Sequence, residues 1–173
     1  MLDDALRLQY RHNAWAMAQV YDAAAQLTPE QRAVQGHAGR GSIHDTLRHI
    51  LEVQDRWLSV LEGTVTIAEA MQTSLDPETV ADLPTLRSRW EATNERAIAY
   101  LNDISADELN RELLIQTPWT PDKVVPLWTM LLHVLSEAGQ HRSEVAAMLT
   151  EHGSSPGPLD LAYFILVPGN DAE

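Results

Sequence analysis

The stretch LLHVLSEAGQHRSEVAAML, residues 131–149, carries a carboxylate and an imidazole four residues apart, Glu137 and His141. On a helix, groups at that spacing stack on adjacent turns with Cβ atoms about 5–6 Å apart. They can pair with each other or converge on a single cation. Stepping about 100° per residue from Val134 places Leu127, Met130, Leu131, Ala138, Val145 and Met148 in one apolar stripe. His141 falls about 20° and Glu137 about 60° from its centre, both inside the inward sector. His133, about 100° away, stands at the margin. An isolated ionised carboxylate on a buried face is costly, so Glu137 needs a partner. That partner is a metal shared with His141, an imidazolium of His141 or His133, or an arginine such as Arg7 or Arg11.

A metal held by this pair needs a ligand from another helix. The segment beginning at Ile43 has an apolar stripe of Ile43, Leu47, Ile50, Leu51, Leu58 and Leu61, widened by Val53, Trp57 and Val60. His49 sits at the edge of that flank, while Arg48, Glu52 and Asp55 define the expected solvent face. The remaining histidines, His12, His37, His44 and His152, are expected on exposed faces or loops. His49 with Glu52 and His141 with Glu144 have H-x-x-E spacing, the reverse of the Glu-x-x-His order of dinuclear carboxylate bundles. No inward glutamate is evident on the first or third helix to complete such a site. A Ser/His/Asp hydrolase is unsupported, because no G-x-S-x-G elbow occurs. Trp57, Trp119 and Trp128 read as core or interface packing rather than as site residues.

The elements that must position these residues are helical. Apolar residues recur at three- and four-residue spacing, and strand-like alternation is nearly absent. A first helix is expected over about residues 3–27, with Leu6, Tyr10, Met17, Val20, Tyr21 and Ala24 inward. TPEQ follows as a capping box on Thr28, and Ser42 caps a second helix to about residue 61. Residues 63–84 are expected to be irregular with a short helical turn. A third helix covers about residues 86–101, burying Leu86, Trp90, Ala97 and Leu101. SADE at residues 105–108 has capping-box form, and the three prolines of TPWTPDKVVP exclude regular helix there. A fourth helix starts at Pro126 and ends before Gly153. The apolar tail SSPGPLDLAYFILV is expected to pack on the bundle. The fold class is therefore all-α, a four-helix bundle with long connecting loops, forming one domain over residues 1–173.

Composition narrows the chemistry. The chain has no cysteine, which excludes disulfides, Cys-ligated metals and a protein thiol nucleophile. Its net charge is −13, from 12 Lys+Arg against 25 Asp+Glu. With Lys123 the sole lysine and no basic cluster, neither nucleic acid nor an anionic membrane surface is an expected partner. The first thirty residues lack a basic start followed by an apolar run, and no stretch has membrane-span length. A soluble cytoplasmic protein is expected.

The stretches GSIHDTLRHILEVQDRWLSVLEG, PLWTMLLHVLSEAGQHRSEVAAML and PGPLDLAYFI, with YRHNAWAMAQV near the start, resemble the DinB-like family of bacterial metal-binding four-helix bundles. The likeness covers nearly the whole chain and is poorest in the middle. In that family the metal is typically held by one histidine of the second helix and two of the fourth, four apart. The matching positions are His49, residue 137 and His141. Glu137 departs from the commonest pattern, but a His–Glu–His set occurs in the related mycothiol-dependent maleylpyruvate isomerases, which bind zinc. The resemblance thus implies a divalent metal on His49, Glu137 and His141, zinc first, with nickel, iron or manganese also suited to the donors. Three protein ligands leave a coordination position open, as in catalytic zinc sites, so the metal would activate water or a low-molecular-weight thiol. The implied function is a metal-dependent transferase, isomerase or hydrolase with a small-molecule substrate. A non-catalytic metal- or ligand-binding bundle with a structural or sensing role is the alternative. The resemblance also implies a homodimer.

Overall fold

The computed structural model describes residues 2–117, 120–167 and 169. Four long helices dominate: α1 (Leu2–Ala25), α3 (Ile43–Leu61), α5 (Leu83–Asp103) and α7 (Leu127–Glu151). Shorter helices are α2 (Pro29–Arg32), α4 (Ile67–Gln72), α6 (Ala106–Leu109) and α8 (Leu161–Leu166). Among the described residues no helix is long and apolar enough to cross a membrane.

Local chemistry sets the helix starts. Thr28 and Gln31, Ser42 and Asp45, and Thr66 and Glu69 form reciprocal capping boxes that satisfy otherwise orphaned backbone N–H groups. At Ser105 only the forward bond, from the Glu108 N–H, is present. α5 begins earlier than its apolar spacing implies, at Leu83, because the Asp82 carboxylate caps it and Pro84 is tolerated in a first turn.

Packing arranges the long helices as a square, with α1 and α3 each lying against both α5 and α7. α1 and α5 are antiparallel, as contacts of Arg7 with the Leu101 carbonyl and of Arg87 with Asp22 show. α3 and α7 are also antiparallel, since His49 meets His141 and Trp57 meets His133. α3 and α5 run parallel, so residues 62–82 must return along the bundle before α5 can start. They do so across the outer face of α3, where the Arg56 guanidinium donates to the Thr73 carbonyl at 3.2 Å. Glu52, expected in solvent, is consequently half-buried and paired with Arg56.

The proline-rich stretch before α7 forms an antiparallel hairpin, β1 (Glu112–Thr117) and β2 (Thr120–Pro126), an element not expected from the sequence. Leu113 is buried, and Ile115 and Val125 pack on the core, so alternation over a few residues suffices. Trp119 lies outside the described residues. Trp57 is buried and Trp128 packs on the same apolar cluster.

The tail does pack on the bundle. Phe164 is buried against Trp15 and His12, and the His12 Nε2–H donates to the Leu159 carbonyl at 2.8 Å. His12 is therefore not on an exposed face, because the tail covers that flank of α1, and it is only 7% exposed. His44 is half-buried with Nε2 3.0 Å from the Val80 carbonyl, whereas His37 and His152 are exposed.

The core divides into two apolar clusters. One contains Met17, Leu51, Trp90, Ala138 and Val145, and the other Tyr10, Trp57, Ala97, Leu131 and Val134. Three helices pass from one cluster to the other through a buried amide: Asn13 on α1, Gln54 on α3 and Asn94 on α5. Gln54 donates to Asn94 at 3.4 Å.

Candidate metal centre

His49 projects from the middle of α3 toward α7, and Glu137 and His141 project from successive turns of α7 toward α3. The amphipathic patterns already described make these two faces pack, which delivers all three side chains to one place. His141 Nε2 lies 3.4 Å and His49 Nε2 4.0 Å from the same Glu137 oxygen, Oε2. The two imidazoles meet edge to face with centroids 4.8 Å apart. One ligand atom from each residue falls within 4.8 Å of both others. Separations of 3.4 and 4.0 Å exceed those of good hydrogen bonds, but suit donors gathered round a cation with bonds of about 2.1 Å.

Protonation favours ligation at His49. Its pKa is pushed down to about 4, first by burial, then by the positive charge of Arg40 and by His141, with Glu137 acting in the opposite sense. The ring is neutral near pH 7 and offers a lone pair. His141 is oriented by a residue not singled out for that role from the sequence. Its Nδ1 lies 2.5 Å from Glu144 Oε2, so the tautomer with the proton on Nδ1 donates there and turns the Nε2 lone pair, aimed at Glu137, toward a ligand role. The signal was the H-x-x-E spacing of His141 and Glu144, whose local reading is a carboxylate holding its neighbour's ring.

The donor set fits a divalent ion. Two imidazoles and one carboxylate suit zinc and its first-row neighbours, and Glu144 adds a second carboxylate behind the His141 ring. Of the partners open to Glu137, the structure provides His141 and His49, and among the described residues no arginine. His133 stands apart, with its ring edge-on to Trp57 at 5.8 Å. Burial is uneven: the His141 side chain is 8% exposed and that of Glu137 31%. The site is anchored on the His141 side and open to solvent on the Glu137 side.

Comparison with known proteins agrees with this architecture. The chain is 27% identical over 169 residues to protein DinB of Bacillus subtilis (strain 168), covering 96% of each. The profile of the DinB family matches residues 1–167, and the chain belongs to the DinB family.

Proposed function

We propose that His49, Glu137 and His141 hold one divalent metal ion, zinc first and nickel, iron or manganese as alternatives, and that the protein is a metal-dependent enzyme. The reading rests on one observation: ligand atoms from two helices converge within 4.8 Å while Glu144 fixes the tautomer of His141. The reaction class is transfer, isomerisation or hydrolysis of a small molecule, using water or a low-molecular-weight thiol as nucleophile. The chain has no cysteine, so a thiol must come from a cosubstrate.

When bound, the ion supplies Lewis acidity, by which water or a thiol loses its proton near neutral pH. The residues of this chain do the rest. His49 and His141 offer neutral nitrogens, and the Glu137 carboxylate offsets part of the ion's charge. Glu144 holds the His141 ring and withholds its Nδ1 proton from exchange with substrate. The half-exposed Glu137 side leaves a direction of approach, which favours catalysis over a purely structural metal. Assembly as a homodimer in the cytoplasm completes the proposal.

The test is metal content by mass spectrometry after purification, in the wild type and in His141→Ala. About one equivalent is expected in the wild type and a large loss in the variant. Equal metal in the two proteins overturns the reading.

A further inference from the structure

The return segment 62–82 does not lie flush on the outer face of α3. Together with α3 and Arg89 of α5 it encloses a cavity of about 350 Å³. That is within the range of about 300–1,000 Å³ usual for small-molecule sites. Its outer wall is pinned to α3, because the Arg56 guanidinium donates to the Thr73 carbonyl at 3.2 Å. None of His49, Glu137 and His141 lines it, so the cavity is separate from the metal centre.

Five charged side chains line the cavity, and their pairing is uneven. Glu52 and Arg56 pair with each other, and Asp55 pairs with Arg96 at 2.9 Å. Asp76 and Arg89 remain, and neither has an ion-pair partner among the described residues. Both are held instead by the turn of chain from Asp76 to Thr79. Asp76 Oδ1 accepts from the Glu78 N–H at 3.0 Å, and Arg89 Nη1–H donates to Thr79 Oγ1 at 2.8 Å. The Thr79 hydroxyl donates in turn to the Asp76 carbonyl at 2.7 Å. One turn thus fixes a carboxylate and a guanidinium that both lack a counter-ion. The lining also has an apolar part, in which Ala70 is buried and Leu75 packs on the Met17 cluster.

We propose that this cavity is a second ligand site, taking a free α-amino acid with an apolar side chain. The ligand's carboxylate pairs with Arg89, its ammonium with Asp76, and its side chain lies against Ala70 and Leu75. A guanidinium offers paired N–H donors that match a carboxylate, and such charge-assisted bonds are stronger than neutral ones. A plain anion is repelled by Asp76 and a plain cation by Arg89, whereas a zwitterion answers both charges. The inference stands on the cavity and its charges and does not depend on the metal-centre reading.

The experiment is calorimetric titration of the full-length protein with L-leucine, L-methionine and L-phenylalanine. Saturable binding of at least one of them is expected, with Kd of about 1 mM or tighter. Its N-acetyl derivative, lacking the ammonium, and its amide, lacking the carboxylate, are each expected to bind about tenfold more weakly. Arg89→Gln and Asp76→Asn are each expected to weaken the free amino acid by about the same factor. Asp76→Asn keeps an oxygen for the Glu78 N–H, so the local turn is preserved. Amino acids also chelate metals, and His141→Ala separates the two modes: affinity for the cavity is expected to be unchanged in it. Absence of saturable binding by all three amino acids overturns the proposal. So does binding that is unaltered in both Arg89→Gln and Asp76→Asn, or that disappears in His141→Ala. An N-acetyl derivative or amide that binds as tightly as its parent overturns the zwitterion in favour of a singly charged ligand.

Discussion

The Nδ1–H of His141 donates to Glu144 across 2.5 Å, within a single turn of α7. The carboxylate that orients the ring and the ring itself are thus positioned by the same few residues, independently of the packing of α3. His49 alone must be brought from a distant part of the chain.

Removing that carboxylate should weaken the metal without unfolding the helix. Glu144→Ala is expected to lower metal affinity about 10- to 100-fold, and Glu144→Gln, which keeps a hydrogen-bond acceptor, to lower it less. Competition with a chromophoric chelator measures both. Wild-type affinity in Glu144→Ala would remove the ring-holding role.

A metal joining α3 to α7 should also stabilise the fold by binding the native state alone. At a free concentration of about 1,000 times Kd the gain is about 4 kcal/mol, or about 10 °C in Tm for a chain of this size. Calorimetry with and without a chelator reads it directly, and His49→Ala should abolish the difference. A chelator-insensitive Tm in the wild type would count against a metal shared by the two helices.

Acid should destabilise the metal-free protein through its buried histidines. Burial is the leading cause that lowers the pKa of both His12 and His49 below the ordinary 6.5, to about 4 for His49. The folded protein then binds fewer protons than the unfolded chain, so stability rises with pH. This contribution is complete above about 6.5 and is lost as pH falls through that value, continuing toward about 4 for His49. Urea unfolding in chelator at about pH 7.5 and about pH 5.5 measures the loss. It should shrink in His49→Ala and in His12→Gln, and an unaltered loss in both variants would refute the assignment.

Tyr21 makes a separate prediction about the core. Its hydroxyl is fully buried and has no hydrogen-bond partner among the described residues, while its ring packs on Trp90 with centroids 5.8 Å apart. Tyr21→Phe keeps the ring and removes the desolvated hydroxyl, so it should raise stability by up to about 1 kcal/mol. Equilibrium denaturation checks the sign, and a loss greater than about 1 kcal/mol would mean the hydroxyl has a partner after all.

The four long helices were legible because each repeats its apolar residues at helical spacing, and α3 also because Ser42 caps its start. Glu137 and His141 were legible as an inward pair for the same reason. The hairpin was not, because the prolines around Trp119 argue only against helix and say nothing of pairing between Leu113 and Val125. His12 and Glu52 were misplaced for a common cause. A helical wheel ranks faces by local pattern, whereas the covering of each was supplied from elsewhere, by the tail at His12 and by residues 62–82 at Glu52.

The buried amides Asn13, Gln54 and Asn94 have a consequence for how the molecule breathes. They form a seam across which the two apolar clusters share few groups of their own kind, so each half can open at its own free-energy cost. His49 lies between Leu47 and Ile50, and His141 between Ala138 and Val145, all on the Trp90 side of that seam. Slow amide exchange induced by metal should therefore concentrate in that half, while the half built on Tyr10 and Trp57 keeps its own rhythm of opening.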